Sequence, residues 1–320
     1  MDVRDGVLED VPAIVELLKM SLGESLIPKS ASLWQWKHMQ NPFGASPILV
    51  AEDRGKIVGV RAFMNWTWVY KGEILNAVRA VDTATHPDYQ GKGIFKKLTL
   101  QGVANAKSAG IDFVFNTPNT SSKPGYLKMG WAEKGRVPLK LKINPLAYKR
   151  RIAPLAKVHD WDQLIGFLSK VKSPCYDTNK VQTLVNSDYV SWRYKNNPLF
   201  DYSFISDYHS YVLFYRMKEH KFGHEMRVVD LFINDLTFNQ ESRRGLQKVF
   251  SDKSNNSFLT SVSGRQYLLG MNKYLNMGLL PILKKGPIVT LRNVNMNDEQ
   301  FHELLNIDSW AYSLGDMELF

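Results

Sequence analysis

Apolar positions in the first 142 residues recur at helical and strand periods, separated by turn-forming residues. A one-sided apolar stripe follows Asp10, which is a good N-cap, and Pro12 suits a first turn, so the segment predicts a helix. Two β-rich runs within residues 48–60 meet at Asp53-Arg54-Gly55, a pattern typical of a hairpin.

A second strand pair, followed by a helix and another strand, continues this pattern. Strands are predicted at 63–70 and 74–85 around the turn Lys71-Gly72. A helix is predicted from 93 to 109, where Gly110 ends it, and residues 113–115 form a short apolar strand. This order predicts an α+β domain with a mixed sheet, ending near residue 142.

Two short patterns of the first half return in the second half. Trp36–Pro42 resembles Trp192–Pro198 at an offset of 156 residues, and Tyr126–Gly130 resembles Tyr274–Gly278 at an offset of 148. The matches occur in the same order with strand-rich runs between them. We interpret the halves as diverged copies of one fold.

The length of 320 residues is typical of two domains. Residues 144–158 contain two prolines and three consecutive basic residues, with weak periodicity. We therefore predict one domain at 1–143, a linker at 144–160 and a second domain at 161–320.

The composition limits the kinds of partner and site. The formal charge of +10 favours an anionic partner, which charge alone does not identify. There is no run of 18 apolar residues, so no membrane-spanning helix is expected. A single cysteine excludes an internal disulfide and a multi-cysteine zinc site, so we predict no metal centre and a cytoplasmic protein.

The segment from His86 to Leu98 is the most specific chemical signal in the chain. Gly91 and Gly93 permit a sharp turn and a close backbone approach by a ligand, and the predicted helix begins there. Free N–H groups and the helix dipole at this point suit a phosphate. A solvated glycine turn with a basic helix start is the alternative. Lys96 occupies the third glycine position of a Rossmann fingerprint, and Ile94 follows Gly93 where a P-loop requires Ser or Thr.

The loop resembles the signature of the GCN5-related N-acetyltransferase (GNAT) superfamily: Gln or Arg, two residues, Gly, one residue, then Gly or Ala. The run Gln90-Gly91-Lys92-Gly93-Ile94 meets it, while Phe95 departs in the final position. A second family block is matched in spacing by Asn119, Tyr126, Gly130 and Trp131, after the strand at 113–115. The resemblance covers residues 3–141, and it implies the acyl-CoA N-acyltransferase fold. The second half lacks the glycine loop and looks like a degenerate copy.

The resemblance implies acetyl-CoA as co-substrate and assigns roles to particular residues. The coenzyme-binding positions are Ala84, Thr85, Gln90, Gly91, Lys92, Gly93, Ile94, Phe95 and Asn119. Strand N–H groups near Ala84 and Thr85 would stabilise the carbonyl oxygen. Tyr126 occupies the proton-donor position, and its alternative role is packing the helix against the sheet.

The general base is the open part of this assignment. Many relatives place a glutamate where this chain has Arg79. Asp82 is one candidate, although strand alternation puts it on the other face unless a β-bulge re-aims it, and a structural hydrogen-bonding role is its alternative. The C-terminal carboxylate of Phe320 is another candidate, by resemblance to the enhanced intracellular survival branch.

The leading interpretation is an acyl-CoA-dependent N-acyltransferase acting on the amine of a small molecule or amino sugar. A transferase of the FemABX type, which uses aminoacyl-tRNA, is one alternative, and nucleic acid is expected only under it. A non-catalytic acyl-CoA-binding module is the other. The sequence leaves the acceptor, the acyl-chain length and the oligomeric state open.

Overall fold

The computed structural model describes residues 1–23, 27–149, 159–171, 179–263, 275, 277–278 and 280–317, which form two compact units. The first unit contains Met1–Trp68, Glu73–Gly135 and Ile288–Asn306. The second contains the described residues of Val69–Gly72, Arg136–Pro287 and Ile307–Phe320.

Helices and strands alternate in both units. The helices are α1 (Val11–Leu22), α2 (Ala31–His38), α3 (Ile94–Ser108), α4 (Lys123–Lys128), α5 (Trp161–Leu168), α6 (Ser187–Val190), α7 (Gln240–Asn255) and α8 (Asp298–Leu305). The strands are β1 (Asp2–Asp5), β2 (Ile48–Asp53), β3 (Lys56–Tyr70), β4 (Glu73–Thr85), β5 (Phe113–Asn116), β6 (Ala132–Arg136), β7 (Leu139–Ile143), β8 (Gln182–Thr183), β9 (Ser203–Ser206), β10 (Tyr211–His220), β11 (Gly223–Ile233), β12 (Leu259–Ser263) and β13 (Ile288–Asn293).

The α+β class and the hairpin of the first unit are confirmed. Arg54 and Gly55 both have positive φ, as a two-residue turn between β2 and β3 requires. The predicted break between residues 60 and 63 is wrong, because Arg61 and Ala62 continue the pairing of β3 with β2. Helix α2 and strand β1 have no counterpart among the elements predicted from the sequence.

The sheet of the first unit opens between β4 and β5. Its strand order is β1-β2-β3-β4-β5-β13-β6. The parallel pairing of β4 with β5 covers only three positions and ends at Arg79 opposite Phe115. Residues 80–85 of β4 therefore extend beyond their last pair with β5, and this leaves a split in the sheet.

One face of this sheet packs against α3 because β3 presents a glycine to the start of the helix. A Cβ on Gly59 would lie 2.5 Å from Cγ2 of Ile94 and 3.2 Å from Cδ1 of Leu98. Further along α3, Gly102 lies directly against the ring of Phe63. These glycines hold the helix, and the loop that precedes it, close to the strands.

The second unit repeats the order of elements seen in the first. Its sheet has the order β7-β12-β11-β10-β9, and a hairpin (β10 and β11) is followed by α7 and then by β12, parallel to β11. In the first unit the hairpin of β3 and β4 is followed by α3 and by β5, parallel to β4. Of the second repeated pattern, residues 274 and 276 lie outside the described residues.

The compact units are interleaved along the chain. Strand β13 and helix α8 belong to the first unit, although they come late in the sequence, because β13 pairs antiparallel with β5. Strand β7 belongs to the second unit, where it pairs antiparallel with β12. The division at 1–143 and 161–320 stays a prediction, and residues 150–158 of its linker lie outside the described residues.

Candidate active site

The glycine loop leads into the N-terminus of α3. Gly91 and Gly93 have φ values of 75° and 78°, in the left-handed region that favours glycine, and a Cβ on either would meet no atom within 4 Å. The glycines are therefore required by backbone conformation, and the space above them is open. Gln90 is exposed, and its amide nitrogen is 3.5 Å from the carbonyl oxygen of Thr85.

The backbone amides of this loop are available to a ligand. Within the described residues, the N–H groups of residues 91–96 donate to no protein acceptor, whereas the N–H of Lys97 donates to the carbonyl of Gly93. Lys92, Lys96 and Lys97 are exposed around them. Unpaired amides at a helix start together with three cations form an anion site suited to a diphosphate.

Ala84 and Thr85 end β4, beside the loop and beyond the last pairing with β5. The carbonyl of Thr85 accepts a hydrogen bond of 3.0 Å from Oγ of Ser21, which ties the end of the strand to α1. The end of β4 and the glycine loop that follows it belong to the same unit, and α1 of that unit holds the end of β4 in place.

Tyr126 lies on α4 in the core between helix and sheet. It is 3% exposed, and its ring makes edge contacts with Phe95 and Trp131, at centroid distances of 5.5 and 5.1 Å. Nη2 of Arg61 donates to its hydroxyl oxygen at 2.6 Å. Because Arg61 occupies one lone pair of that oxygen, the hydroxyl proton remains available for another acceptor.

Arg61 itself is a functional candidate that sequence reasoning missed. It is fully buried, and its Nε and Nη1 atoms have no hydrogen-bond partner among the described residues. Its guanidinium lies 5.1 to 5.7 Å from the ring centroids of Phe63, Phe95 and Tyr126. Only its place in the middle of an apolar strand distinguishes it in the sequence.

Asn119 stabilises the backbone before α4. Its side-chain oxygen accepts hydrogen bonds from the backbone N–H and the hydroxyl of Ser122, at 2.8 and 2.9 Å. This asparagine therefore fixes the entry to the helix that carries Tyr126. Its assignment to coenzyme binding stays a prediction.

Asp82 occupies an irregular position in β4 and is tightly paired. Its φ of 38° is in the left-handed region, which breaks the regular strand. Its Oδ2 is 2.5 Å from Nζ of Lys37 and 2.8 Å from Nε2 of His38, both on α2. Although burial opposes ionisation, the charge of Lys37 and the bond with His38 lower the pKa of Asp82 below its usual range. A carboxylate with such a low pKa is a weak proton acceptor.

Arg79 is buried on β4, at the position where the resemblance implies a glutamate. Its Nη2 donates to Oγ1 of Thr117 at 2.7 Å, and its guanidinium lies over the ring of Phe115. A permanent cation at this point supplies no base. Phe320 lies outside the described residues, so its role stays a prediction.

The described part of the chain has no evident metal site. It contains no cluster of three or more histidine, cysteine or acidic side chains that could hold a metal ion. No helix there is both long enough and apolar enough to cross a membrane.

Comparison with solved structures relates the fold to N-acyltransferases. The chain is similar to a probable N-acyltransferase from Enterococcus faecalis V583 (TM-score 0.64, 12% identity), with 92% of this chain and 72% of that chain covered. It is similar to a GCN5-related N-acetyltransferase from Anabaena variabilis (TM-score 0.62, 12% identity, 92% and 73% covered). Eis1 from Mycobacterium abscessus is a third (TM-score 0.60, 12% identity, 92% and 74% covered).

Comparison with sequence families gives a match for the N-terminal part of the chain. Among curated proteins, no sequence matches this chain. The model of the acetyltransferase (GNAT) domain matches residues 2–133, a range that contains the glycine loop, the split strand and Tyr126. Over residues 2–133 the chain is therefore similar to the GNAT acetyltransferase domain, and its fold is that of the acyl-CoA N-acyltransferases.

Proposed function

We propose that the protein transfers an acetyl group from acetyl-CoA to the amine of a small molecule or an amino sugar. The observation that carries the proposal is the row of unpaired N–H groups at residues 91–96, beside the end of β4 that extends past its last pair with β5. Amides in this arrangement bind a diphosphate, and the split in the sheet gives the adjoining chain of the coenzyme a place to lie.

The glycine loop, the end of β4 and Tyr126 each have a part in this proposal. Acetyl-CoA supplies the thioester. The loop from Gln90 to Phe95 holds the diphosphate through backbone amides, and the N–H groups near Ala84 and Thr85 stabilise the carbonyl oxygen. Tyr126 donates its hydroxyl proton to the departing sulfur, since Arg61 already bonds to its oxygen.

The second unit is proposed to be a diverged copy without coenzyme. Its matching order of hairpin, helix and parallel strand supports common descent. Helix α7 begins after Asn239, whose side chain accepts from the N–H groups of Glu241 and Ser242. The first N–H groups of α7 are therefore capped by a side chain of the protein, whereas the corresponding N–H groups of α3 are free to bind a ligand.

Two measurements test the proposal. Titration with acetyl-CoA is expected to release heat, and absence of binding would favour the aminoacyl-tRNA alternative. Free-thiol release with a panel of amines is expected next, and binding without release by any amine would favour the acyl-CoA-binding module.

Tyr126→Phe tests the proton donor. We expect kcat to fall by about 10²- to 10⁴-fold with acetyl-CoA affinity little changed, because only the proton is lost. Thermal unfolding must be measured in parallel, since the change also removes the acceptor of Nη2 of buried Arg61. Unchanged turnover would rule out the donor role.

A further inference from the structure

A chain of hydrogen bonds on the first unit joins β4 to a loop. It runs from Asp82 through His38 to Ser46: Oδ2 of Asp82 is 2.8 Å from Nε2 of His38, and Nδ1 of His38 is 2.9 Å from Oγ of Ser46. The backbone N–H of Ser46 also donates to the carbonyl of His38 at 2.8 Å. The serine is therefore held at the end of α2 by two bonds.

The partners of His38 fix its tautomer. Asp82 is ionised and only accepts, so Nε2 of His38 carries the hydrogen. Nδ1 then has a free lone pair and accepts the hydroxyl hydrogen of Ser46. Burial lowers the pKa of His38, which keeps the ring neutral at pH 7. Two charged groups affect the pKa of His38: Asp82 raises it and Lys37 lowers it. The pKa of Lys37 is in turn lowered by the nearby charges of Arg79 and Lys29.

The chain of hydrogen bonds leads from the buried imidazole of His38 to a residue that is partly exposed. His38 is 1% exposed, and Ser46 is half-buried. Ser46 is therefore the more exposed of the two residues. The φ of Asp82 is positive, a strained conformation for a residue other than glycine, and such strain is concentrated at functional sites.

The second unit contains a related cluster without the basic nitrogen. Arg193 and Tyr194 follow Lys37 and His38 by 156 residues, and Asp230 follows Asp82 by 148. The hydroxyl of Tyr194 donates to Oδ2 of Asp230 at 2.8 Å. The contact between ring and carboxylate is thus common to both units, but a phenol does not accept a proton as imidazole does. The proton-accepting ring occurs in the unit that has the glycine loop.

We propose that Ser46, His38 and Asp82 form the relay that takes the proton from the acceptor amine. The inference rests on the proposed function, and it supplies the base that Arg79 cannot provide. As the amine nitrogen forms its bond to the acyl carbon, its proton passes to Oγ of Ser46, while the hydroxyl proton of Ser46 passes to Nδ1 of His38. The imidazolium is held by Asp82 and then returns the proton to solvent. Ser46 is the catalytic residue that touches the amine, and His38 and Asp82 act through it.

The test compares Ser46→Ala, Ser46→Thr and the control Ser108→Ala, at the exposed end of α3. With an alkylamine acceptor, Ser46→Ala is expected to lower kcat by about 10²-fold or more, while acetyl-CoA affinity stays unchanged. Ser46→Thr keeps a hydroxyl and should recover most of the rate. His38→Gln should show the same loss if it folds, and Ser46→Ala decides the matter if it does not.

An aromatic amine separates the relay from a structural role. The protonated adduct of an arylamine is much more acidic than that of an alkylamine, so it loses its proton without help. The loss caused by Ser46→Ala should therefore be smaller with the arylamine. Equal losses with both amines, or wild-type turnover in Ser46→Ala, would overturn the relay alone. No thiol release by the wild type with any amine would refute the proposed function and the relay with it.

Discussion

Gly59→Ala tests whether the close packing of α3 against β3 positions the glycine loop. The new methyl group would lie 2.5 Å from Cγ2 of Ile94 and 3.2 Å from Cδ1 of Leu98. Both side chains are almost fully buried, at 2% and 1% exposure, so neither has free space to move into. The first turn of α3 must shift away from the sheet.

The expected loss of stability follows from two opposing effects. Overpacking a core position costs about 1–3 kcal/mol. Removing a glycine from the interior of β3 returns about 0.5–1 kcal/mol. The free energy of unfolding should therefore fall by up to about 2.5 kcal/mol, and Tm by up to about 10 °C for a unit of this size.

The same shift should weaken acetyl-CoA binding. The amides of residues 91–96 lie immediately before or within the displaced turn, and misaligning one hydrogen bond costs about 0.5–1.5 kcal/mol, or about two- to tenfold in Kd. Urea unfolding and calorimetric titration measure the two effects. Gly166→Ala is the control, because a Cβ there meets no atom within 4 Å, and alanine in α5 should add about 0.8–1 kcal/mol. Wild-type stability and affinity in Gly59→Ala would refute the packing argument.

Three further substitutions probe the glycine loop, the turn before α4 and a buried acid. Gly93→Ala should cost about 1–2 kcal/mol at its φ of 78° and weaken acetyl-CoA binding in calorimetry, and unchanged affinity would contradict the anion site. Asn119→Ala removes the acceptor of the Ser122 N–H and should lower the free energy of unfolding in urea by about 1 kcal/mol, the net contribution of one hydrogen bond. Burial and the charge of Asp230 raise the pKa of Asp316 to about 7, above its unfolded value of about 3.9. Its contribution to stability is therefore complete below pH 3.9 and lost as the pH rises through 7, so Asp316→Asn should flatten the fall in urea midpoint over that range; an equal slope in both proteins would contradict this.

The chemistry that the sequence specified is local along the chain. The turn at Arg54-Gly55, the helix ended by Gly110 and the loop of Gly91 and Gly93 depend on backbone preferences of adjacent residues. Such preferences are visible without knowledge of the rest of the fold. For the same reason the resemblance to the GNAT superfamily was visible in two short blocks, at residues 90–95 and 119–131.

The tertiary structure decided what depends on contacts between distant residues. The bond from Arg61 to Tyr126 joins positions 65 residues apart, and the bond from His38 to Asp82 joins positions 44 apart. The placement of β13 beside β5 depends on strand pairing across more than 170 residues. Periodicity records which face of an element is apolar, but it does not record which element covers that face. The sequence by itself therefore determined the glycine loop, and only the folded chain showed which side chains surround Tyr126 and Asp82.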